Sequence, residues 1–187
     1  NLAVDAGTGG TVTGSGAYDY NSSVSITANP APGYHFVAWI GAGTIDSSSP
    51  STTVSMTTDR NVTAGFAINR YLLMVNSTPG GSVSGGDTYD YGTAVSITAN
   101  AAIGYHFVNW SGNTVDDATS ASTTLTLISD ANVTANFEAD IHQLTVAVGA
   151  GGAVSGDGNY TYGSDAAITA TSLAGYYFIN WNGAGIA

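Results

Sequence analysis

Apolar and polar residues alternate in short runs along most of the chain. In the run VSITAN, Val24 and Ile26 alternate with Ser25 and Thr27, and the run NVTAGF near residue 62 follows the same rule. A period of two is typical of a β-strand with one buried face. Gly-Gly, Ser-Gly, Asn-Pro and Pro-Gly pairs separate the runs, and no long stretch combines helical spacing with capping signals. The pattern therefore predicts an all-β protein of short strands joined by tight turns.

The alternating pattern occurs three times with an offset of 71 residues and no gap. The phrases GYHFVAW, GYHFVNW and GYYFINW begin at Gly33, Gly104 and Gly175. Self-similarity at a fixed period is the signature of a repeat architecture, and it outweighs length as a guide to domain number. We predict a tandem array of small antiparallel β modules, each of about six strands, with units at residues 1–69, 70–140 and 141–187.

The aromatic phrase is interpreted as a core strand that each unit repeats. Strict alternation places Tyr34 and Phe36 on one face and Val37 and Trp39 on the other, so this strand is expected to be covered on both sides. A unit of about 70 residues needs large aromatic side chains to bury enough area. The residues predicted to form the repeated core are Tyr34, Phe36, Trp39, Tyr105, Phe107, Trp110, Tyr176, Phe178 and Trp181.

The third unit lacks its last two strands, because residues 122–127 and 132–137 of the second unit have no counterparts in it. Such a unit exposes its core and an unpaired edge. Two alternatives follow. The chain is a fragment of a longer array, or a neighbouring molecule donates the missing strands.

The charge balance narrows the class of partners. The chain has thirteen acidic residues and only two Lys or Arg residues, Arg60 and Arg70, which gives a formal net charge of -11 and a pI near 4.1. Nucleic acids and anionic membrane surfaces attract clustered Lys and Arg, so neither is an expected partner. Membrane insertion is not expected either, because no run reaches about 18 apolar residues. The chain has no cysteine, which excludes disulfides and thiolate chemistry.

The titratable residues do not form a recognisable catalytic or metal motif. His35, His106 and His142 lack the spacing of metal ligands, and no G-x-S-x-G elbow precedes a helix. We therefore predict no enzymatic activity and no cofactor. Weak calcium binding is the alternative at oxygen-rich turns, since acidic residues occur there without a specific calcium-loop motif. Those residues are Asp19, Asp90, Asp116, Asp117 and Asp157.

Paired tyrosines recur once in every unit. Side chains two positions apart lie on the same face of a strand, so each pair suits either the edge of a core or a platform on which sugar rings stack. Both interpretations stay open from the sequence. The candidate glycan platform consists of Tyr18, Tyr20, Tyr89, Tyr91, Tyr160 and Tyr162.

The combined pattern resembles the divergent internalin-type B-repeats, also called Listeria–Bacteroides repeats. The second unit carries it in full, as YLLMVNSTPGGSVSG, YGTAVSITANAAIGYHFVNWSG, STTLTL and DANVTANF. The third unit departs from it at Tyr177, where the others have histidine. The resemblance implies a β-grasp-like or all-β module found in tandem arrays on exported proteins, without catalytic residues.

Two functions are therefore expected from the sequence. The first is a non-catalytic structural protein, extracellular on a microbial cell surface or secreted, that forms a stalk or filament segment for adhesion or display, including assembly by strand donation. Its partners would be neighbouring repeats or identical subunits. The alternative is a carbohydrate-binding adhesion module that uses exposed tyrosine pairs to hold a surface glycan.

Overall fold

The computed structural model describes residues 1–183, and within them the chain forms strands, turns and loops but no helix. The all-β prediction is confirmed. The first unit has six strands: β1 (Leu2–Ala6), β2 (Gly10–Thr13), β3 (Ser23–Pro30), β4 (Tyr34–Gly41), β5 (Ser51–Ser55) and β6 (Arg60–Ile68).

These six strands form two three-stranded sheets. One sheet has the order β1-β6-β4 and the other the order β2-β3-β5. All pairs are antiparallel except β1 and β6, which run parallel from Leu2 opposite Arg60 to Ala6 opposite Ala64. The expectation of purely antiparallel modules needs this correction. The first and last strands are joined through the whole unit rather than by a hairpin, so nothing constrains them to run in opposite directions.

The core of the first unit contains residues from both sheets. Ile26 on β3, Val54 on β5 and Val62 on β6 are completely buried, and they belong to one cluster with Leu2 and Trp39. Their sequence neighbours are more exposed, as strict alternation on a one-sided strand requires. The alternation predicted for these strands is confirmed.

The second unit repeats this arrangement with one additional strand, β9, which pairs with β7 to give the sheet order β11-β13-β7-β9 beside β12-β10-β8. The parallel pair recurs between β7 and β13. The strands are β7 (Arg70–Ser77), β8 (Gly81–Ser84), β9 (Asp87–Asp90), β10 (Thr93–Ala101), β11 (Tyr105–Gly112), β12 (Ser122–Leu127) and β13 (Ala131–Ala139).

The aromatic strand does not alternate as predicted. The register of β4 against β6 shifts between Phe36 and Ala38, so that Val37 is a bulged residue. Phe36 and Trp39 consequently share the inner face, and Val37 is 53% exposed. Because a bulge adds one residue to a strand, it reverses the inside-outside order that follows it. The strand is therefore covered on one side, and the expectation of cover on both sides is wrong.

The third unit is much less complete than the other two. It forms two two-stranded sheets, β14-β16 and β15-β17, and no residue from 141 to 183 is buried. Its aromatic segment, residues 176–181, lies outside any strand. The strands are β14 (Ile141–Leu144), β15 (Gly152–Ser155), β16 (Gly158–Thr161) and β17 (Thr169–Ser172).

The aromatic residues of the third unit show why it lacks a core. Tyr176 is 59% and Phe178 48% exposed, and Trp181 is half-buried, whereas Trp39 and Trp110 are buried. In the complete units the aromatic strand is held by the last strand, through the pairs β4–β6 and β11–β13. In residues 141–183 no strand pairs with the aromatic segment, whose backbone hydrogen bond is local, from the N–H of Tyr176 to the carbonyl of Leu173 at 3.0 Å. The expectation that Tyr176, Phe178 and Trp181 form a third core is not met in the described chain.

None of the secondary structure in residues 1–183 is a helix long and apolar enough to cross a membrane.

Candidate functional site at the junctions between units

Consecutive units are joined by a single residue. Strand β6 ends at Ile68 and β7 begins at Arg70, so Asn69 alone connects the first unit to the second. Asp140 stands in the same position between β13 and β14. A connection this short leaves the two units in direct contact, and the contacts around it are the most regular feature that the sequence analysis missed.

The backbone of each connecting residue is hydrogen bonded on both sides. The N–H of Asn69 donates to the carbonyl of Gly33 at 2.7 Å, and its own carbonyl accepts from the N–H of Tyr91 at 2.8 Å. At the next junction the N–H of Asp140 donates to Gly104 at 2.8 Å. The carbonyl of Asp140 accepts from Tyr162 at 2.7 Å. Each connection is therefore fixed to the unit before it and to the unit after it.

A tyrosine ring of one unit lies against a glycine of the unit before it. A Cβ atom added to Gly33 would lie 2.1 Å from the ring of Tyr91. The same measurement at Gly104 gives 2.1 Å to the ring of Tyr162. Any side chain at either glycine would displace the ring, and both glycines have positive φ angles, of 81° and 78°. Glycine is thus required at these positions by the backbone and by the neighbouring unit together.

The histidines belong to these junctions. Nδ1 of His35 donates to Oδ1 of Asn69 at 2.7 Å, and Nδ1 of His106 donates to Oδ1 of Asp140 at 2.9 Å. Each imidazole therefore orients the side chain of the connecting residue. In residues 1–183 no group of three or more His, Asp or Glu side chains is arranged to hold a metal ion. His142 is in the second junction too, with its ring centroid 6.3 Å from that of Tyr162.

Two further contacts accompany the first junction. The rings of Tyr71 and Tyr91 lie with centroids 6.4 Å apart, and Nε of Arg70 lies 3.3 Å from Oδ1 of Asp90. Both partners of that ion pair are more than half exposed, so the pair contributes little to stability. The tyrosine ring and the backbone hydrogen bonds are the substantial contacts of the junction.

The two tyrosines of each pair have different roles. The hydroxyl of the first tyrosine donates to the carbonyl four residues earlier: Tyr18 to Gly14 at 3.1 Å, Tyr89 to Gly85 at 2.9 Å and Tyr160 to Gly156 at 2.9 Å. The second tyrosine, Tyr91 or Tyr162, covers a glycine of the preceding unit. The structure therefore does not bring the six tyrosines together into one platform.

The first pair is the exception. Tyr20 is 79% exposed and Tyr18 is 40% exposed. A hollow of about 150 Å³ lies beside them, also lined by Asn1, Met56, Thr58 and Asp59. Of the three pairs, this one alone offers both rings to solvent in the described chain.

A turn in each complete unit holds the core tryptophan. The indole Nε1 of Trp39 donates to the carbonyl of Ser49 at 3.0 Å, and that of Trp110 donates to Ser120 at 3.0 Å. The acidic residue three positions earlier organises the turn, because Oδ1 of Asp46 accepts from the hydroxyl and the N–H of Ser48. These donors hold the pKa of Asp46 below its ordinary value of 3.8.

The same arrangement holds Asp117 in the second unit. Oδ1 of Asp117 accepts from the hydroxyl of Thr119 at 2.7 Å and from its N–H at 2.8 Å, and these bonds lower the pKa of the carboxyl. The role of Asp117 is thus to close a turn.

The other acidic residues considered for calcium have protein partners. Asp116 accepts from the hydroxyl of Thr124, Asp157 accepts from the N–H of Val146 at 2.7 Å, and Asp90 lies beside Arg70. The backbone carbonyl of Asp19 accepts from Ser22. These carboxylates are dispersed over separate turns rather than converging on one point.

The chain belongs to the divergent InlB B-repeat domain family, whose sequence profile matches it three times, at residues 1–70, 71–141 and 142–186. Searches of curated proteins and of solved structures found no match to the chain. The family is typically non-catalytic. Membership suggests a surface repeat protein with an extracellular location.

Proposed function

We propose that this chain is a rigid, non-catalytic spacer that holds another part of a surface protein at a fixed distance for adhesion or display. The observation that supports the proposal is that each single-residue connection is hydrogen bonded to both neighbouring units. Asn69 and Asp140 each use N–H, carbonyl and side chain to bind both neighbouring units. A flexible linker would leave those groups to solvent.

Because the junction is repeated, each further unit would add a similar length to the spacer. The second junction uses the same positions as the first, with Gly104, Asp140 and Tyr162 in place of Gly33, Asn69 and Tyr91. Because the contacts are equivalent, we expect each unit to be related to its predecessor by a similar rotation and translation. In such arrays the free energy of unfolding is close to the sum of the intrinsic stabilities of the units and of the interfaces between neighbours. The array can therefore lengthen by adding units of the same kind.

The composition suits exposure outside a cell. The formal net charge of -11 favours solubility, and a chain without cysteine needs no particular redox environment. Each sheet of the two complete units consists of three or four short strands. These properties support a spacer that works in contact with the medium.

The spacer proposal is tested by measuring a distance between units. Ser47 and Ala118 are exposed and occupy equivalent positions in the first and second units. Because the chain has no cysteine, Ser47→Cys combined with Ala118→Cys allows two spin labels and pulsed electron spin resonance. We expect a narrow distance distribution. Insertion of four Gly and Ser residues after Asn69 should broaden it.

A broad distribution in the parent chain, equal to that of the insertion variant, would contradict the rigid spacer. Incubation of the same protein with a panel of ester, glycoside and peptide substrates should give no turnover.

Carbohydrate binding at Tyr18 and Tyr20 is the second candidate function. It is favoured by the exposure of Tyr20 and by the adjoining hollow. The test is retention of the parent chain and of Tyr20→Ala on a printed glycan array. Retention that the substitution abolishes, with unchanged melting, would support a glycan site, while equal signals for both proteins would remove it.

A further inference from the structure

We propose that the outer face of the second unit binds a neutral polysaccharide through a network of side-chain amides and hydroxyls that the first unit lacks. This asparagine face consists of Asn76, Asn109, Ser111, Asn132, Thr134 and Asn136. It contains no residue of either junction, and it lies in a different unit from Tyr18 and Tyr20. Binding here would add a function to the spacer and does not depend on it.

The asparagine face is formed by three adjacent strands. Ser111 on β11 is the register partner of Thr134 on β13, and Thr134 is also the partner of Asn76 on β7. In the next row, Asn109 is the partner of Asn136. Adjacent strands lie about 4.8 Å apart, and residues two positions apart on one strand are about 6.7 Å apart. One ligand can therefore contact several of these side chains at once.

Hydrogen bonds between side chains orient the polar groups of the asparagine face. Nδ2 of Asn136 donates to Oδ1 of Asn109 at 2.6 Å and to Oγ of Ser111 at 3.0 Å. In a second pair, Nδ2 of Asn76 donates to Oδ1 of Asn132 at 2.8 Å. Side chains that are already oriented lose less conformational entropy on binding. The face is therefore preorganised for a ligand.

Each amide pair keeps one carbonyl and one N–H group for a ligand. Oδ1 of Asn136 and Nδ2 of Asn109 make no hydrogen bond within residues 1–183. The same holds there for Oδ1 of Asn76 and Nδ2 of Asn132. A hydroxyl group both donates and accepts hydrogen bonds, so the hydroxyls of a sugar ring can use acceptors and donors that lie side by side.

The first unit has the same strands and core but not this face. Ala38 and Gly65 are register partners there, at the positions of Asn109 and Asn136. The core beneath is unchanged, with a tryptophan opposite an alanine in both units. Packing therefore does not require asparagine on the outer face. Asparagine is depleted in β-strands, and a residue that disagrees with its local structure is expected at a functional site.

The asparagine face is uncharged in a strongly acidic chain. None of its six side chains ionises, whereas the chain carries a formal net charge of -11. Glu138 lies two positions beyond Asn136 on the same side of β13. Carboxylates around the face repel a polyanionic glycan, and a neutral glycan is not repelled. The charge balance thus favours a neutral polysaccharide.

Exposed apolar side chains adjoin the polar ones. Met74 is the register partner of Asn132, and Leu72 lies two positions earlier on β7. Each of these two side chains is nearly half exposed. Ligand sites combine apolar surface with a small number of polar groups that fix orientation. Met74 and Leu72 would contact the C–H faces of sugar rings whose hydroxyls reach Asn132.

The test is surface plasmon resonance of the chain over immobilised mannan, dextran and galactan, with alginate as the polyanionic comparison. We expect saturable binding to at least one neutral polymer and none to alginate. Asn109→Ala combined with Asn136→Ala removes both members of a hydrogen-bonded pair and should weaken binding at least tenfold. The double variant should melt like the parent, because neither side chain belongs to the core.

Two substitutions in the first unit serve as matched controls. Asn61→Ala changes the position equivalent to Asn132, and Tyr20→Ala changes the other candidate glycan site, so both variants should bind like the parent. Absence of binding to all three neutral polymers would overturn the proposal, as would equal binding by the parent and the double variant. Binding that only Tyr20→Ala abolishes would place the glycan in the first unit. Self-association that the double variant abolishes, without glycan binding, would assign the face to a second copy.

Discussion

Phe36 and Trp39 are three positions apart on one strand, yet their rings pack together on the same side with centroids 5.6 Å apart. Simple alternation would place them on opposite faces. The bulge at Val37 removes that conflict. Phe107 and Trp110 repeat the relationship at 5.7 Å, so the bulge is part of the repeated unit rather than a local irregularity.

Because β4 is covered on one side only, substitutions at neighbouring residues should have unequal effects on stability. Phe36→Ala should lower the free energy of unfolding by about 3 kcal/mol, because the ring packs on Trp39 and Phe66. Val37→Ala should change it by no more than about 0.5 kcal/mol, because that side chain faces solvent. Urea unfolding followed by circular dichroism measures both. Equal losses would mean that both faces of the strand are covered.

The local sequence pattern was enough to predict the strands. The bulge and the junction depend on contacts between residues distant in sequence. The alternation of Val24, Ile26 and Val62 predicted their burial, because a one-sided strand has only one dry face. The bulge could not be predicted, since it depends on the register of β4 against β6, which are distant in sequence.

The junction could not be predicted from the sequence for a similar reason. Gly33 and Tyr91 lie in different units, and nothing local to either residue indicates that they meet. One signal was present. His35 and Asn69 are separated by 34 residues, and His106 and Asp140 have the same separation. Recurrence of two polar positions in both complete units indicates a pair, although only the fold shows that the pair lies at a junction.

The tryptophans provide a comparison of a complete and an incomplete unit. Trp39→Ala should cost about 3–5 kcal/mol of unfolding free energy, since the side chain is buried. The substitution also removes the Nε1–H that donates to the carbonyl of Ser49. Trp181→Ala should cost at most about 0.5 kcal/mol, because no residue of the third unit from 141 to 183 is buried. A comparable loss at Trp181 in urea unfolding would show that the third unit has a core of its own.

The tyrosine of the junction is expected to couple neighbouring units. Tyr91→Ala should reduce the coupling between the first and second units by about 0.5–3 kcal/mol, because the ring covers Gly33 and leaves a gap when removed. The units should then unfold at more widely separated urea concentrations, as measured by hydrogen exchange. Tyr20→Ala is the matched control at the equivalent, exposed position and should leave the coupling unchanged.

A double-mutant cycle distinguishes the ring contact from backbone strain at the glycine. Gly33→Ala combines two costs, since its φ of 81° disfavours a side chain and the new Cβ meets Tyr91. In the Tyr91→Ala background only the backbone cost remains. Gly33→Ala should therefore be less destabilising there than in the parent chain. Identical losses in both backgrounds would show that the ring does not press on the glycine.

The turns that hold the tryptophans should make stability depend on acid. Hydrogen bonds from Ser48 and Thr119 lower the pKa of Asp46 and Asp117 below 3.8, so the charged carboxylates are favoured in the folded state. The resulting stability is fully present above pH 3.8 and is lost as the pH falls through that value towards the lower folded pKa. The combined change Asp46→Asn and Asp117→Asn removes the titrating groups.

The melting temperatures of the parent and of this double variant should therefore differ most at about pH 7, and the difference should narrow as the pH falls below 3.8 and the parent carboxyls become protonated. Asp5→Asn combined with Asp165→Asn, both at exposed positions, controls for the loss of two negative charges from an acidic protein. The difference is measured by circular dichroism melting over that range. A gap of the same size at both ends of the range would mean that ionisation of the two carboxyls does not contribute to it. Convergence at low pH would assign the contribution of the turns to the ionised carboxylates.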